Sequence, residues 1–234
     1  MNRDSRQTIH MGINFIFSPM VTIDRRSYIA FQNALLEEGI EITKTALQEQ
    51  REIALTRDMP TDLEIKVSAL GPPAIGQLLI VAPHPSRDLN LFIQEIEAVI
   101  RAFDATWPEQ NRQLMRSDAT LRDLFETDAD HAFQELWETR LKQSQESLAA
   151  FGRPVLGGGL RFVMPPVAGE PRPVQIEVKI ESFLRDTKKM FVETQFTWPS
   201  PMPAGTTFDP AFRLHQVDDY IEQQVLSFIL GGIP

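Results

Sequence analysis

Apolar Val174, Ile176, Val178 and Ile180 alternate with polar Gln175, Glu177, Lys179 and Glu181. A period of two places one face of a strand in a core and the other in water, so 174–183 reads as a half-buried, antiparallel strand. A shorter copy, Leu63, Glu64, Ile65, Lys66 and Val67, stands about a hundred residues earlier. The pattern ahead of it predicts a strand over 13–23 that ends or bends at Pro19, which cannot donate to a ladder. Asp24 then N-caps a helix carrying Tyr28, Phe31, Leu35 and Leu36, with Gly39 as its stop. Residues 40–57 read as one long strand or two short ones, 58–62 as a turn, and 63–69 and 77–82 as strands about the turn 71–73. Ser86 is expected to cap an amphipathic helix whose stripe is Leu89, Phe92, Ile93, Ile96, Val99, Ile100 and Phe103.

The polar segment 107–118, with Pro108, reads as a boundary between two halves. Beyond it, Leu121, Leu124 and Phe125 predict a helical region that restarts near Thr127 or Asp128. It runs on through Phe133, Leu136, Trp137, Leu141 and Leu148 toward Gly152. Strands follow at 160–163, 174–183 and 189–198, with the hairpin turn of the last two at Asp186 and Thr187. Residues 199–203 form a stiff proline-rich loop. A last helix carries Phe212, Val217, Tyr220, Ile221, Val225, Phe228 and Ile229 to a stop at Gly231 and Gly232. Residues 1–10 read as a frayed polar terminus, with His10 disordered in it.

Laid side by side, 1–106 and 107–234 each give a helix, three strands and a closing amphipathic helix, and each third strand ends at a proline-containing segment. The fold class is therefore α+β: two similar halves, each an antiparallel sheet with amphipathic helices on one face, joined as two domains or one compact one. Duplication, convergence and chance all remain open as the origin of the likeness. Phe17, Ser18 and Pro19 at a strand end, a helix around Phe31, a late strand pair, and a C-terminal helix opening Phe212, Arg213, Leu214, His215 and closing at Phe228 carry a family likeness. In these features the chain resembles a sporadically distributed bacterial family of uncharacterised α+β proteins. The resemblance implies the fold and a prokaryotic cytoplasm, and no activity.

With 234 residues, 42% hydrophobic and 24% charged, the chain has the balance of a globular protein with a sizeable core. A formal charge of -9, with neither half basic, argues against nucleic acid as a partner. The absence of cysteine removes disulfides, thiolate metal sites and cysteine nucleophiles. No apolar run approaches the roughly 18 residues a membrane span needs, so the expectation is a cytoplasmic protein without a membrane partner.

The densest polar cluster is Asp128, His131, Glu135 and Glu138. On a helix these spacings of three, four and three would gather carboxylates and an imidazole on one face, as a metal face or an oriented histidine. The plain alternative is a solvated helix start with acids favourably placed against the macrodipole. His84, between Pro83 and Pro85 before a helix, could act in catalysis or hold an anion; more often such a residue is a polar member of a stiff turn. His215 stands near Asp218 and Asp219, an arrangement that usually ends in partial burial beside a carboxylate. Gly157, Gly158 and Gly159 lead into a strand with Arg161 rather than into a Lys-Ser/Thr helix start, which rejects a P-loop. Neither a Gly-x-Ser-x-Gly elbow nor a His-Glu-x-x-His motif occurs, and nothing nominates a cofactor. Arg185, Lys188 and Lys189 belong to a hairpin tip.

Three functional classes follow. The first is a non-enzymatic protein that binds a protein partner or itself, with a homodimer expected because free sheet edges pair or are covered. The second is an enzyme or small-ligand-binding domain with a pocket between the halves, lined by His84, His215 and the carboxylates of 128–138. The third is a chaperone-like holdase with an exposed apolar groove.

Overall fold

The fold is that of a computed structural model, which describes residues 1–234 apart from 50, 72–73, 109–110, 200, 203–206 and 232–234. Pro72 and Pro73 of the expected turn, Ser200 and Pro203 of the expected loop, and Gly232 lie outside the described residues. The strands are β1 (Gln7–Ser18), β2 (Lys44–Gln48), β3 (Glu52–Arg57), β4 (Leu63–Leu70), β5 (Ile75–Ala82), β6 (Gln113–Glu126), β7 (Gly159–Met164), β8 (Gln175–Ser182) and β9 (Lys189–Trp198). The helices are α1 (Arg25–Glu37), α2 (Leu89–Thr106), the short α3 (Ala132–Gln134), α4 (Pro210–Tyr220) and α5 (Leu226–Leu230). Wider π-helical turns extend α3 over Glu135–Arg140 and join α4 to α5 over Ile221–Val225.

All these strands lie in one antiparallel sheet in the order β2-β3-β4-β5-β1-β6-β9-β8-β7. β4 stands two strands out from β1, and β8 two strands out from β6. The matched stretches 63–67 and 176–180 thus occupy corresponding places on the two sides of the β1–β6 pair. One row across the inner face runs Ile65, Ile80, Ile13, Ala119, Phe196 and Ile176.

The helices all lie on this inner face. α1 packs on α2, α2 on α4, and α4 on β6 and β9. Phe31, Phe103, Phe17 and Phe208 meet edge to face, with ring centroids 5.5 Å apart for Phe17 and Phe103 and 6.0 Å for Phe103 and Phe208, a geometry that suits the ring quadrupoles. Arg213 of α4 is buried and donates to Ser117 Oγ of β6 at 2.8 Å, and its burial lowers its pKa to about 10. The outer face carries mostly polar and half-buried side chains.

Several expectations are corrected. Residues 113–126 form β6 rather than a boundary followed by a helix. Its inner positions are Ala119, Leu121, Asp123 and Phe125, and the buried acid among them conceals the period of two. Residues 127–148 do not form a continuous helix: α3 and its π turns end at Arg140, and a separate 3-10 helix, Gln145–Phe151, stops at Gly152 with φ of 65°. Asp88, not Ser86, caps α2, accepting from the Leu91 N–H at 2.9 Å. The terminus is not frayed: a 3-10 turn, Arg3–Ser5, leads into β1, and His10 is an ordered, partly buried residue of that strand.

Candidate functional site

The residues nominated from sequence do not converge on one site, although Asp128 and Glu135 share a partner. His84 is exposed in the β5–α2 loop, its imidazole Nδ1 lying 3.7 Å from Asp62. His215 is exposed on α4. His131 does not lie on a helix face with Asp128 but is the N-cap of α3, accepting at Nδ1 from the Phe133 N–H at 3.1 Å. Glu135 is buried and accepts from the Met1 ammonium at 2.6 Å, while Asp128 accepts from it at 3.0 Å. Thr127 donates to the second Glu135 oxygen. Glu138 accepts from Gln134 at 3.0 Å. Among the described residues no three His, Asp or Glu side chains are grouped as a metal shell.

A cavity of about 230 Å³ does lie at the junction of the halves, between the start of α2 and α4, but other residues line it. Arg6, Thr8, Met11 and Leu121 form its sheet wall, with Arg87, Asp88 and Asp218 from the helices. Arg6 is engaged with the buried Asp123 at 3.1 Å, with Asp218 at 2.8 Å and with Glu222 at 2.8 Å. Burial works against its charge, and these carboxylates overcome that and hold its pKa above the ordinary value.

One end of the sheet is an open main-chain edge. β7 pairs with β8 and, among the described residues, with no other strand. Ser182 N–H donates to the Gly158 C=O at 3.1 Å, and Phe183 N–H donates to the Lys189 C=O at 2.9 Å. Antiparallel ladders alternate, so these bonds fix the orientation of the strand. Leu160, Phe162 and Met164 turn their main-chain groups to β8, whereas Gly159, Arg161 and Val163 turn theirs outward. Pro165 and Pro166 end the strand.

On the inner side, β7 and β8 meet the C-terminal helices in an apolar groove of about 180 Å³. It is lined by Phe162, Met164, Val178, Tyr220, Val225 and Phe228, among others. The Phe162 and Phe228 rings stand edge to face at 5.4 Å, and Tyr220 Oη donates to Met164 Sδ at 3.3 Å. Phe162, at 38% exposure, and Phe228, at 44%, are wet at the mouth of this groove, and Val163, on the outer side of β7, is 53% exposed. Exposed Leu156, Val167 and Leu184 lie on the flanking segments.

The outer side of the same edge is polar. Arg161 grips Glu177 through Nε at 2.9 Å and Nη2 at 3.0 Å, and this bond holds the Glu177 carboxyl below its usual range. Lys179 links Glu177 to Glu193, which also accepts from Arg122. Burial pushes the Glu193 carboxyl up, but the two cations prevail and lower it. The opposite edge of the sheet differs: β2 presents Lys44, Thr45 and Gln48, and Tyr28 donates to Thr45 Oγ1 at 2.6 Å. Charged and polar edge residues discourage further pairing. The period pattern did mark 160–163 as a strand. Its position at an edge was not legible there, although the unalternating run Phe162, Val163, Met164 before two prolines is the signal that fits it.

The architecture is thus α+β, a large antiparallel sheet with helices on one face. No family model matches the chain, and no curated protein matches it. Among solved structures it is similar to DynU16, a protein in the dynemicin biosynthetic locus, at 7% identity over 79% of this chain and 86% of that one, with a TM-score of 0.25. It is also similar to the di-domain ARO/CYC StfQ from the steffimycin biosynthetic pathway, at 8% identity over 94% of this chain and 95% of that one, with a TM-score of 0.26. At these scores neither likeness bears on function. No helix among the described residues is long and apolar enough to cross a membrane.

Proposed function

We propose that this chain is a binding protein that accepts an extended polypeptide strand along β7. The observation that carries the reading is the conjunction of outward main-chain groups at Gly159, Arg161 and Val163 with the apolar groove beside them. Strand addition takes its affinity from main-chain hydrogen bonds and its selectivity from pockets for alternate side chains. The open edge and the neighbouring groove support each part of this reading. The groove lies under the inward side chains of β7, where an added strand would lay its own.

A photo-reactive residue at Phe162, with a control at Ala46 on the β2 edge, tests this in cells expressing the chain. A discrete polypeptide adduct is expected from position 162, none from 46, and none from 162 once Val163→Pro removes an outward N–H. Adducts from neither position, or equally from both, would remove the reading.

The cavity between Arg6, Arg87, Asp88 and Asp218 favours a second reading, a small-ligand protein. Its walls carry both signs of charge, so a fitting ligand would be zwitterionic. Titration with free amino acids at millimolar concentration should then shift the Thr8 and Leu121 amide resonances, and unmoved resonances would exclude it.

A further inference from the structure

We infer that the strand received by β7 is the β7 of a second copy of this chain, giving a twofold dimer whose two sheets run into one. The inference rests on the reading of β7 as a strand-accepting edge. Its own support is the way the six residues of β7 fit themselves.

An antiparallel β7–β7′ pair can bond only in registers that set outward-turned residues opposite one another. Centring the pair on Arg161 meets that condition but places two guanidiniums face to face, and like charges directly opposite are destabilising. Centring it on Val163 brings Arg161 opposite Pro165, which has no N–H. Centring it on Leu160 would set Phe162 opposite Gly158 and leave the groove without an apolar mate, whereas centring it on Phe162 has no like-charge pair and meets Pro165 only with Gly159, at the strand's end. Arg161 then lies opposite Val163 of the other copy, twice over by symmetry, each such pair exchanging both N–H···O=C bonds.

The side chains agree with this register. Phe162 would meet its symmetry mate as a non-hydrogen-bonded pair, the type with the closer side chains, on the inner face beside Phe228. That contact closes two half-open apolar grooves against each other. Each Arg161 keeps its own Glu177 on the outer face, so no cation is left uncompensated. Val163, exposed in one copy, is flanked on both sides. A strand that is self-complementary in charge, main-chain direction and apolar surface needs no other sequence to complete it, and isologous pairing is the commonest route to a dimer.

Light scattering of the full chain after size exclusion, from about 1 to several hundred micromolar, tests the inference. The expected mass at the upper end is twice the 26.6 kDa of the chain. Val163→Pro alters an N–H that makes no bond within the chain, so the variant should keep its circular dichroism and melting temperature while its mass falls to one copy. Phe162→Lys should weaken association at least tenfold by setting two charges together, and serves if the proline variant misfolds. Exchange of the Arg161 and Val163 amides should slow as concentration rises. A wild-type chain of single mass throughout, or a dimer indifferent to both substitutions, overturns the inference. If the chain stays single while Phe162 still cross-links to a different polypeptide, self-pairing fails and the strand-accepting reading stands; if it cross-links to nothing, both fail.

Discussion

His10 stands on the outer face of β1 opposite Arg122. Burial, and then the Arg122 cation, lower its pKa from 6.5 to about 4, with Glu193 and Asp62 pulling weakly the other way and His84 adding to the depression. A depressed folded-state pKa means that the native protein holds the neutral imidazole and the unfolded chain takes up the proton first. The associated stability is therefore fully present above pH 6.5 and is lost as pH falls through about 4. Full expression of that shift would be roughly 3 kcal/mol, and partial exposure reduces it to on the order of 2 kcal/mol. Urea unfolding at pH 7 and pH 4 should show His10→Gln, which cannot protonate, losing less stability than the wild type by about that amount. Equal losses would show that the imidazole titrates normally in the fold. The sequence did not reveal this residue because the bulge between Thr8 and His10 breaks the alternation that would have begun β1 at Gln7. Asp123 misled in the same way: an acid on an inner position looks like a polar break until Arg6 and Thr8, more than a hundred residues away, are seen to bond it.

At the scale of the element, legibility followed the regularity of the pattern. Strands 63–70, 175–182 and 189–198, and the helices after Asp24 and Asp88, have the apolar spacing their environment requires, and they lie where that spacing placed them within a few residues. β6 and the segment after it do not. Leu121, Leu124 and Phe125 have helical spacing by coincidence, because Leu124 is buried on the opposite side of the strand from the other two. β5 also contains a constraint that only the packed form displays. Gly76 pairs with Phe17 of β1, and a Cβ at that position would run into the fully buried Phe17 ring. That ring is held by Phe103 and Phe208 and has little room to yield. Gly76→Ala should therefore cost about 1–3 kcal/mol through overpacking, measured as a fall in the urea midpoint at constant slope. Adding Phe17→Leu should recover part of that loss, so that the double variant is more stable than the sum of the two single changes predicts. Strict additivity would place the strain somewhere other than this contact.

Over the whole molecule the decisive feature is that the sheet does not stop between the halves. β1 and β6 pair along most of their lengths, and the outer face carries a polar chain straight across them. Gln77 donates to Asn14 at 2.8 Å, Asn14 to Asp118 at 3.1 Å, and Thr197 to Asp118 at 2.6 Å, linking β5, β1, β6 and β9. On the inner face α2 and α4 meet above the same seam. Separating the halves would expose two long central strands with unpaired main chain on one edge and apolar side chains on one face, each a large cost in water. The seam should therefore open only when the sheet itself does. Two variants that retain a single tryptophan report on the two sides: Trp107, whose indole donates to Thr22 C=O at the end of α2, and Trp198, buried at the end of β9. Their fluorescence transitions in urea should coincide in midpoint and slope, the mark of a single cooperative unit. Asn14→Ala, which cuts the polar chain at the seam, should move both midpoints down together. A Trp107 transition that completes before the Trp198 transition begins would mean that the two sides unfold as separate domains in spite of the strand pairing between them.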